Sequence, residues 1–339
     1  MPERVRITDV SPRDGLQNEP GVIPTLDKAL LVKQLVGTGV DEIEVTSFVS
    51  PKWVPQLGDA RTLLIEAADT KDDSVRFSAL VPNIKGMEAA AEAMAAAASE
   101  LRGKNLCKAL DKVAVFTAAS ETFSLRNTNA GIRQSIDRFG PVVALARRND
   151  LLVRGYVSCA IACPFEGPIQ PEAVANVVSM LFDVGVDEID LGDTIGAGAA
   201  ESIHSLLATL IDRFGAERFG PTSPGECGIT LHLHDTFGRA AGCVKAALDM
   251  GVRSFDGSVA GLGGCPYASK TLPDGTIQRA PGNISTELLV RTVHEAGYET
   301  GVDLDALARA AAFARSIVSR SREETSRGGA EHAGETEKP

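Results

Sequence analysis

The chain alternates short strand-like runs of β-branched and apolar residues with stretches of helical periodicity. Between the runs, apolar residues recur at helical spacing, for example over Leu26–Val36, Glu172–Phe182 and Arg239–Met250. The runs are Val5–Val10, Glu42–Ser47, Arg76–Val81, Lys112–Thr117, Val153–Cys159, Glu188–Asp193, Ile229–Asp235 and Ser254–Ala260. Eight such units over about 260 residues predict a (β/α)8 TIM barrel, with an open doubly wound α/β sheet as the alternative.

An internal repeat supports the same count of units. The segment Gly39-Val-Asp-Glu-Ile-Glu-Val45 recurs as Gly185-Val-Asp-Glu-Ile-Asp-Leu191, and Gly251-Val-Arg-Ser-Phe-Asp256 resembles both. In each segment a glycine follows a helical stretch, and a strand-like run begins at once. Because a glycine in the left-handed conformation commonly ends a helix, these segments are predicted connections from a helix to the next strand.

We expect one catalytic domain over residues 1–318, in which the helical pattern after Gly282 adds C-terminal helices to the barrel. From Ser319 to Pro339 the sequence is polar and nearly free of large apolar residues. Such a segment buries too little apolar surface to order itself. The sequence therefore predicts a disordered tail over residues 319–339.

Charge and composition exclude several classes of function. The formal net charge is −11 and no Lys/Arg stripe is present, which argues against a nucleic-acid partner. No window approaches about eighteen uninterrupted apolar residues, so no membrane partner is expected. The first twenty residues have neither the apolar core of a signal peptide nor the character of a transit peptide, and the six cysteines lack CxxC spacing. These features predict a cytoplasmic protein with reduced thiols.

A pair of histidines lies on the seventh strand-like run. Strand side chains alternate between faces, so His232 and His234 share one side while Leu231 and Leu233 point to the other. In a barrel, that side is the lumen near the C-terminal rim, where barrel enzymes place their active sites. The pair therefore predicts a metal site, and two histidines satisfied by hydrogen bonds are the structural alternative.

Asp14 follows the first strand-like run, in Val10-Ser-Pro-Arg-Asp-Gly15. In a closed barrel the first strand lies only a strand or two from the seventh, so Asp14 can join the histidines. One carboxylate and two imidazoles with open positions suit an ion such as Mg²⁺ or Mn²⁺ better than a closed structural zinc. Its alternative role is to brace a turn, since the flanking Pro12 and Gly15 are also turn residues.

Three further polar side chains are predicted at this rim. Arg13 keeps its proton and could stabilise negative charge on a carbonyl oxygen, and a salt bridge is its alternative role. Glu44 and Asp193 occupy equivalent ends of the second and sixth strand-like runs. Inward carboxylates there would orient Arg13 and the histidines or handle protons, and we favour support over direct chemistry.

The segment Gly261-Leu-Gly-Gly-Cys-Pro-Tyr267 follows the eighth run. Its glycines allow the backbone to approach a ligand closely, and Cys265 lies at its centre. A lone cysteine is usually an inert apolar side chain, but a Gly-Gly-Cys-Pro turn at a catalytic rim favours a functional thiol.

Four of these strings together resemble the 3-hydroxy-3-methylglutaryl-CoA lyase family. They are Ser11-Pro-Arg-Asp-Gly-Leu-Gln-Asn-Glu19, Thr46-Ser-Phe-Val-Ser-Pro-Lys-Trp-Val-Pro-Gln56, Arg154-Gly-Tyr-Val-Ser-Cys159 and the Gly261–Tyr267 segment. The resemblance runs from about Val5 to Val302. It implies a metal-dependent TIM-barrel lyase that cleaves 3-hydroxy-3-methylglutaryl-CoA to acetyl-CoA and acetoacetate, as in leucine degradation and ketone-body formation.

The resemblance also implies roles for individual residues and a coenzyme A thioester as substrate. Arg13 is the implied stabiliser of an enolate, Glu44 and Asp193 are active-site carboxylates, and Cys265 is the thiol of a mobile loop. A homo-oligomer, a dimer, is expected. The implied metal ligands are Asp14, His232, His234 and Asn283.

The sequence departs from the family pattern at three places. Residues 269–279 lengthen the loop between Cys265 and Asn283, Pro20 stands where the family often has a lysine, and Leu101–Lys108 adds residues before the fourth run. The longer loop keeps open a sister lyase for a longer branched substrate, such as 3-hydroxy-3-isohexenylglutaryl-CoA. A Claisen synthase of the isopropylmalate or homocitrate type, and a barrel retained as a scaffold, are the more distant alternatives.

Overall fold

Eight parallel strands close into a barrel in this computed structural model, which describes residues 3–101, 108–219, 228–264, 270–271, 277–278 and 281–335. The strands are β1 (Arg6–Asp9), β2 (Glu42–Ser47), β3 (Arg76–Leu80), β4 (Lys112–Ala118), β5 (Leu152–Ser158), β6 (Glu188–Asp193), β7 (Ile229–Leu233) and β8 (Ser254–Gly257). Arg6 of β1 pairs with Ser254 of β8, and Thr8 of β1 pairs with Glu42 of β2. Because the ring closes through β1 and β8, the predicted TIM barrel is confirmed and the open sheet is excluded.

Helices cover the outside of the barrel. On the helix Pro171–Asp183 the residues Val174, Val178 and Leu181 are fully buried at helical spacing, and burying each contributes about 1.5–3 kcal/mol. None of the described helices combines the length and apolarity needed to cross a bilayer. The helices are α1 (Thr25–Val36), α2 (Ala60–Ala68), α3 (Ile84–Glu100), α4 (Glu121–Thr128), α5 (Ile132–Asp137), α6 (Gly140–Arg148), α7 (Pro171–Asp183), α8 (Ala200–Phe214), α9 (Ala240–Asp249), α10 (Thr286–Glu295) and α11 (Leu304–Glu335).

The three repeated glycines adopt the predicted conformation. Gly39, Gly185 and Gly251 have φ angles of 80°, 95° and 93° and come directly before their strands. At Gly39 a Cβ atom would lie 2.2 Å from the carbonyl oxygen of Gly301. The repeat therefore marks positions where a left-handed backbone favours glycine, and at Gly39 close packing requires it as well.

The lower part of the barrel interior holds an ion-pair network. The ammonium of Lys112 lies 2.6 Å from carboxylate oxygens of both Glu42 and Glu188. The Arg154 guanidinium lies 2.5 Å from the other oxygen of Glu188. Lys112 and Arg154 are 0% and 1% exposed, so charged side chains rather than aliphatic ones fill this layer of the lumen.

The segment predicted as a disordered tail begins inside a helix. α11 continues through Ser319, and the Arg320 guanidinium lies 2.9 Å from a carboxylate oxygen of Asp27 on α1. Ser321 is 4% exposed. Ion pairs and helix packing therefore order residues 319–324 at the start of this segment, and disorder over the rest of the tail stays a prediction. The last four residues of the chain lie outside the described ones.

Two short antiparallel ladders lie apart from the barrel. Ala162–Cys163 pairs with Gly167–Pro168 after β5, and Lys270–Thr271 pairs with Ile277–Gln278. The second ladder belongs to the loop-lengthening segment 269–279, so the described part of that segment is an antiparallel pair of short strands. Of the other predicted addition, Leu101–Lys108, residues 102–107 lie outside the described ones.

Candidate active site and metal centre

The two histidines of β7 face the barrel lumen together. Their ring centroids are 5.4 Å apart, whereas Leu231 and Leu233 are buried on the opposite face of the strand. One nitrogen from each ring and one carboxylate oxygen of Asp14 all lie within 4.8 Å of one another. The predicted grouping of Asp14, His232 and His234 is what the structure shows.

A wide turn brings Asp14 to the histidines. Ser11–Gly15 forms one π-helical turn after β1, in which the backbone N–H groups of Asp14 and Gly15 both donate to the Val10 carbonyl, at 2.8 and 3.1 Å. Such turns are rare and occur often at functional sites. The wide turn leaves Asp14 Oδ2 3.9 Å from His232 Nε2.

The protonation states in this group suit a cation. Burial would raise the pKa of Asp14, but the charge of Arg13, the two histidines and a hydrogen bond from Asn283 lower it to about 2. Burial and the neighbouring His232 lower the pKa of His234 to about 4. Near pH 7 Asp14 is therefore an anionic carboxylate and His234 a neutral imidazole, the forms that bind metals. Burial would lower the pKa of His232, but Asp256 and Asp14 raise it.

Two further details fit a metal ion. Within the described residues, the buried Nδ1 of His234 has no hydrogen-bond partner, so its lone pair is available. Nδ1 of His232 lies 3.3 Å from Asp256 Oδ2, which leaves Nε2 directed at Asp14. A carboxylate on the remote ring nitrogen is the usual way that proteins orient a metal-binding histidine.

Arg13 lies between two carboxylates. Its Nη1 donates to Asp14 Oδ1 at 2.7 Å and its Nε donates to Glu44 Oε2 at 2.5 Å. Burial raises the pKa of Glu44 even though Arg13 opposes the shift. The hydrogen bond from Arg13 Nε shows that Glu44 orients the guanidinium. Glu44 lies in the middle of β2 and not at its end, where it was expected. Its Oε1 is buried and lacks a hydrogen-bond partner in the described part of the chain.

Asp193, the last residue of β6, fixes a loop. Its carboxylate accepts hydrogen bonds from the backbone N–H groups of Ala197 and Gly198, at 3.0 and 2.8 Å, just before α8. Burial raises its pKa more than these bonds lower it. The described contacts of Asp193 thus support the rim, and a role in proton transfer stays a prediction.

Asn283 reaches the same group from the segment before α10. Its Nδ2 donates to Asp14 Oδ2 at 2.8 Å and to the Leu262 carbonyl at 3.0 Å. The side chain is therefore in place, but the amide nitrogen faces Asp14. To bind a cation through Oδ1, the amide would have to turn over.

The glycine-rich turn closes directly over this group. Gly263 has a φ of 93°, and a Cβ there would lie 2.7 Å from Asn283 Nδ2 and 3.4 Å from Asp14 Oδ2. The close backbone approach predicted for this segment is present. Cys265 lies outside the described residues, so its role stays a prediction.

The HMGL-like family model matches residues 4–314. The chain belongs to the HMGL-like family. The hydroxymethylglutaryl-CoA lyase of Pseudomonas mevalonii is 42% identical over 307 residues, which cover 91% of this chain and 90% of that one. The mitochondrial hydroxymethylglutaryl-CoA lyase of Arabidopsis thaliana is 41% identical over 92% of this chain, and the match spans 59% of that longer protein.

Solved HMGL-like structures share the whole architecture. The HMG-CoA lyase from Brucella melitensis superposes with a TM-score of 0.80 at 42% identity, over 94% of this chain and 99% of that one. An HMG-CoA lyase from Acinetobacter baumannii, solved in complex with coenzyme A and 3-methylmalate, gives a TM-score of 0.78 at 32% identity over 93% and 92% of the two chains.

Sequence reasoning missed three side chains of this HMGL-like site. The Tyr156 ring lies 6.1 Å from the His232 ring, and the Arg13 guanidinium lies 5.3 Å from its centre. Arg154 Nη1 donates to Asp256 Oδ1 at 3.1 Å. The available signal was strand alternation, because Arg154 and Tyr156 are two residues apart on β5 and both point inward.

Proposed function

We propose that the chain is a metal-dependent carbon–carbon lyase that cleaves 3-hydroxy-3-methylglutaryl-CoA to acetyl-CoA and acetoacetate. The observation that carries the proposal is the grouping of Asp14, His232 and His234 beside the buried Arg13–Glu44 pair. Relatives at 41–42% identity over more than nine-tenths of the chain are named for this reaction.

A divalent cation, Mg²⁺ or Mn²⁺, fits the donor set. Asp14, His232 and His234 would hold it, with Asn283 as a fourth ligand after its amide turns over. Bound there, the ion supplies Lewis-acid polarisation of substrate oxygens, which lowers the pKa of the tertiary hydroxyl. No thiolate-rich cluster competes for the ion in the described part of the chain.

The side chains divide the remaining chemistry. A base takes the hydroxyl proton, the adjacent carbon–carbon bond breaks as acetoacetate forms, and its electron pair moves into the thioester as an acetyl-CoA enolate. Arg13 donates hydrogen bonds to the enolate oxygen, and Glu44 holds its guanidinium in place. Cys265 or a neighbouring acid returns a proton to the enolate carbon.

The remaining partners and setting belong to the same proposal. A coenzyme A thioester substrate is supported by the Acinetobacter baumannii relative, which was solved with coenzyme A. We assign the protein to leucine degradation and ketone-body formation, in the cytoplasm, as a homodimer. Longer branched acyl-CoA substrates serve as a comparison in the test, because residues 269–279 lengthen the loop that precedes Asn283.

The test measures acetoacetate release by the purified protein with Mg²⁺ or Mn²⁺ and a reductant. We expect His232→Ala and Asp14→Ala to lose nearly all activity, since each removes a ligand. The matched control is His294→Ala, because His294 is exposed on α10 and pairs with Thr300. Full activity in both site variants would refute the metal assignment, and a preference for a longer substrate would refute the substrate.

A further inference from the structure

The C-terminal helix reaches the edge of the site through Arg322. Its Nε and Nη2 donate to the two carboxylate oxygens of Glu19, at 2.8 and 2.7 Å. The Glu19 side chain is 4% exposed and that of Arg322 is 47% exposed. This is the two-bond guanidinium–carboxylate geometry, which fixes direction as well as charge.

Glu19 ends a short turn, residues 17–19, in which one other side chain contacts the candidate metal centre and one contacts the glycine-rich loop. Gln17 Nε2 donates to Asp14 Oδ1 at 2.8 Å. Asn18 Nδ2 donates to the Gly264 carbonyl at 3.1 Å, at the start of the loop that carries Cys265. The backbone N–H of Glu19 donates to the Leu16 carbonyl at 3.0 Å, which closes the turn.

The helix on the other side of this contact is firmly seated. Ile317, Val318 and Ser321 are 1%, 4% and 4% exposed, so α11 is packed against the barrel within one turn of Arg322. Arg322 therefore ties the turn at residues 17–19 to a fixed element. Of the other two residues of the turn, Gln17 is half-buried and Asn18 is exposed, so they have less packing to hold them.

We propose that Arg322 is a positioning residue, which holds the Gln17–Glu19 turn so that Gln17 keeps the Asp14 carboxylate oriented for a divalent cation. The inference rests on the proposed metal site and adds a residue from a segment that the sequence predicts to be disordered. Without Arg322, the Glu19 carboxylate loses two charge-assisted hydrogen bonds and the turn loses its direct link to α11, so Gln17 holds the Asp14 carboxylate less firmly.

The experiment compares Arg322→Gln with Arg320→Gln in the full-length protein. Arg320 lies on the same helix and pairs with Asp27 of α1, away from the turn, so it controls for a general loss of helix packing. The first measurement is amide hydrogen exchange of residues 15–20 in metal-free protein. The second is Mn²⁺ affinity from electron paramagnetic resonance of the free ion.

We expect Arg322→Gln to raise exchange in residues 15–20 and to weaken Mn²⁺ binding, each roughly three- to tenfold, with Arg320→Gln near wild type. Arg322→Lys keeps the positive charge but cannot make the two parallel hydrogen bonds of the guanidinium group. We expect this variant to lie between wild type and Arg322→Gln in both measurements. Unchanged exchange in Arg322→Gln, or equal effects of the two glutamine variants, would overturn the proposal. If wild-type protein binds no Mn²⁺, the proposed function fails, and the exchange measurement alone still decides the role of Arg322 in holding the turn.

Discussion

Asp256 offers the sharpest test of how the metal centre is built. Its Oδ2 lies 3.3 Å from Nδ1 of His232, and the residue as a whole is 2% exposed. Burial would raise the pKa of Asp256, but Arg154 and His232 lower it, so the group is an anion. An anionic acceptor on Nδ1 keeps that nitrogen protonated and leaves the Nε2 lone pair for the ion.

The expected loss follows from this contact. Asp256→Asn keeps the shape but removes the charge, and a buried hydrogen bond to a charged group is worth about 1.5–3 kcal/mol. That range corresponds to a loss of roughly ten- to hundredfold in cation affinity, since about 1.4 kcal/mol equals a factor of ten. Losing the anion also leaves Arg154 with less charge compensation, so a lower melting temperature is expected as well.

Isothermal titration with Mn²⁺ measures the affinity, and differential scanning calorimetry measures the melting temperature. The matched control is Asp235→Asn, because Asp235 follows β7 but accepts a hydrogen bond from the backbone N–H of Ala240, away from the histidines. A cation affinity within twofold of wild type in folded Asp256→Asn would refute the reasoning. An equal loss in Asp235→Asn would refute it too.

Two further predictions concern stability. Burial raises the pKa of Asp9 to about 6. Between about pH 4 and 6 the folded protein therefore holds a proton at Asp9 that the unfolded chain has released. This group makes the free energy of unfolding fall as the pH rises through that window. Urea titrations should therefore show Asp9→Asn gaining on wild type across that window, and a difference independent of pH would contradict this. Gly39→Ala should destabilise by at least about 2 kcal/mol, since the new Cβ would lie 2.2 Å from a carbonyl oxygen at a φ of 80°. Gly297→Ala, with a φ of 89° and open space around it, should cost only about 1 kcal/mol, and equal losses in the two variants would show that the contact is unimportant.

Local pattern was sufficient to predict the barrel and the grouping of Asp14 with the two histidines. Alternation on β7 placed His232 and His234 on one face, and the repeated glycines located the connections between helix and strand. Closure of the barrel then brought Asp14 to them, as expected from the order of the strands. These features follow from geometry that every strand and every closed barrel shares.

The features that the sequence did not reveal depend on contacts between residues far apart in the sequence. Asp256 and Arg154 are charged side chains that point into the lumen from β8 and β5. They form an ion pair only because the closed barrel brings these two strands together. At the start of the predicted tail, polar composition does not reveal that Arg320 and Arg322 form ion pairs with carboxylates near the start of the chain. Glu44 was placed at the end of its strand because periodicity gives the face of a residue better than its height in the barrel.

The charged layer formed by Lys112, Glu42, Glu188 and Arg154 also affects how substrate enters the barrel and how products leave it. These side chains plug the lumen beneath the histidines and are 0–5% exposed, so the barrel is a blind well and not a tunnel. Ion, substrate and both products then share one mouth. We therefore expect ordered product release, in which the product nearer the opening leaves before the product that lies deeper in the barrel.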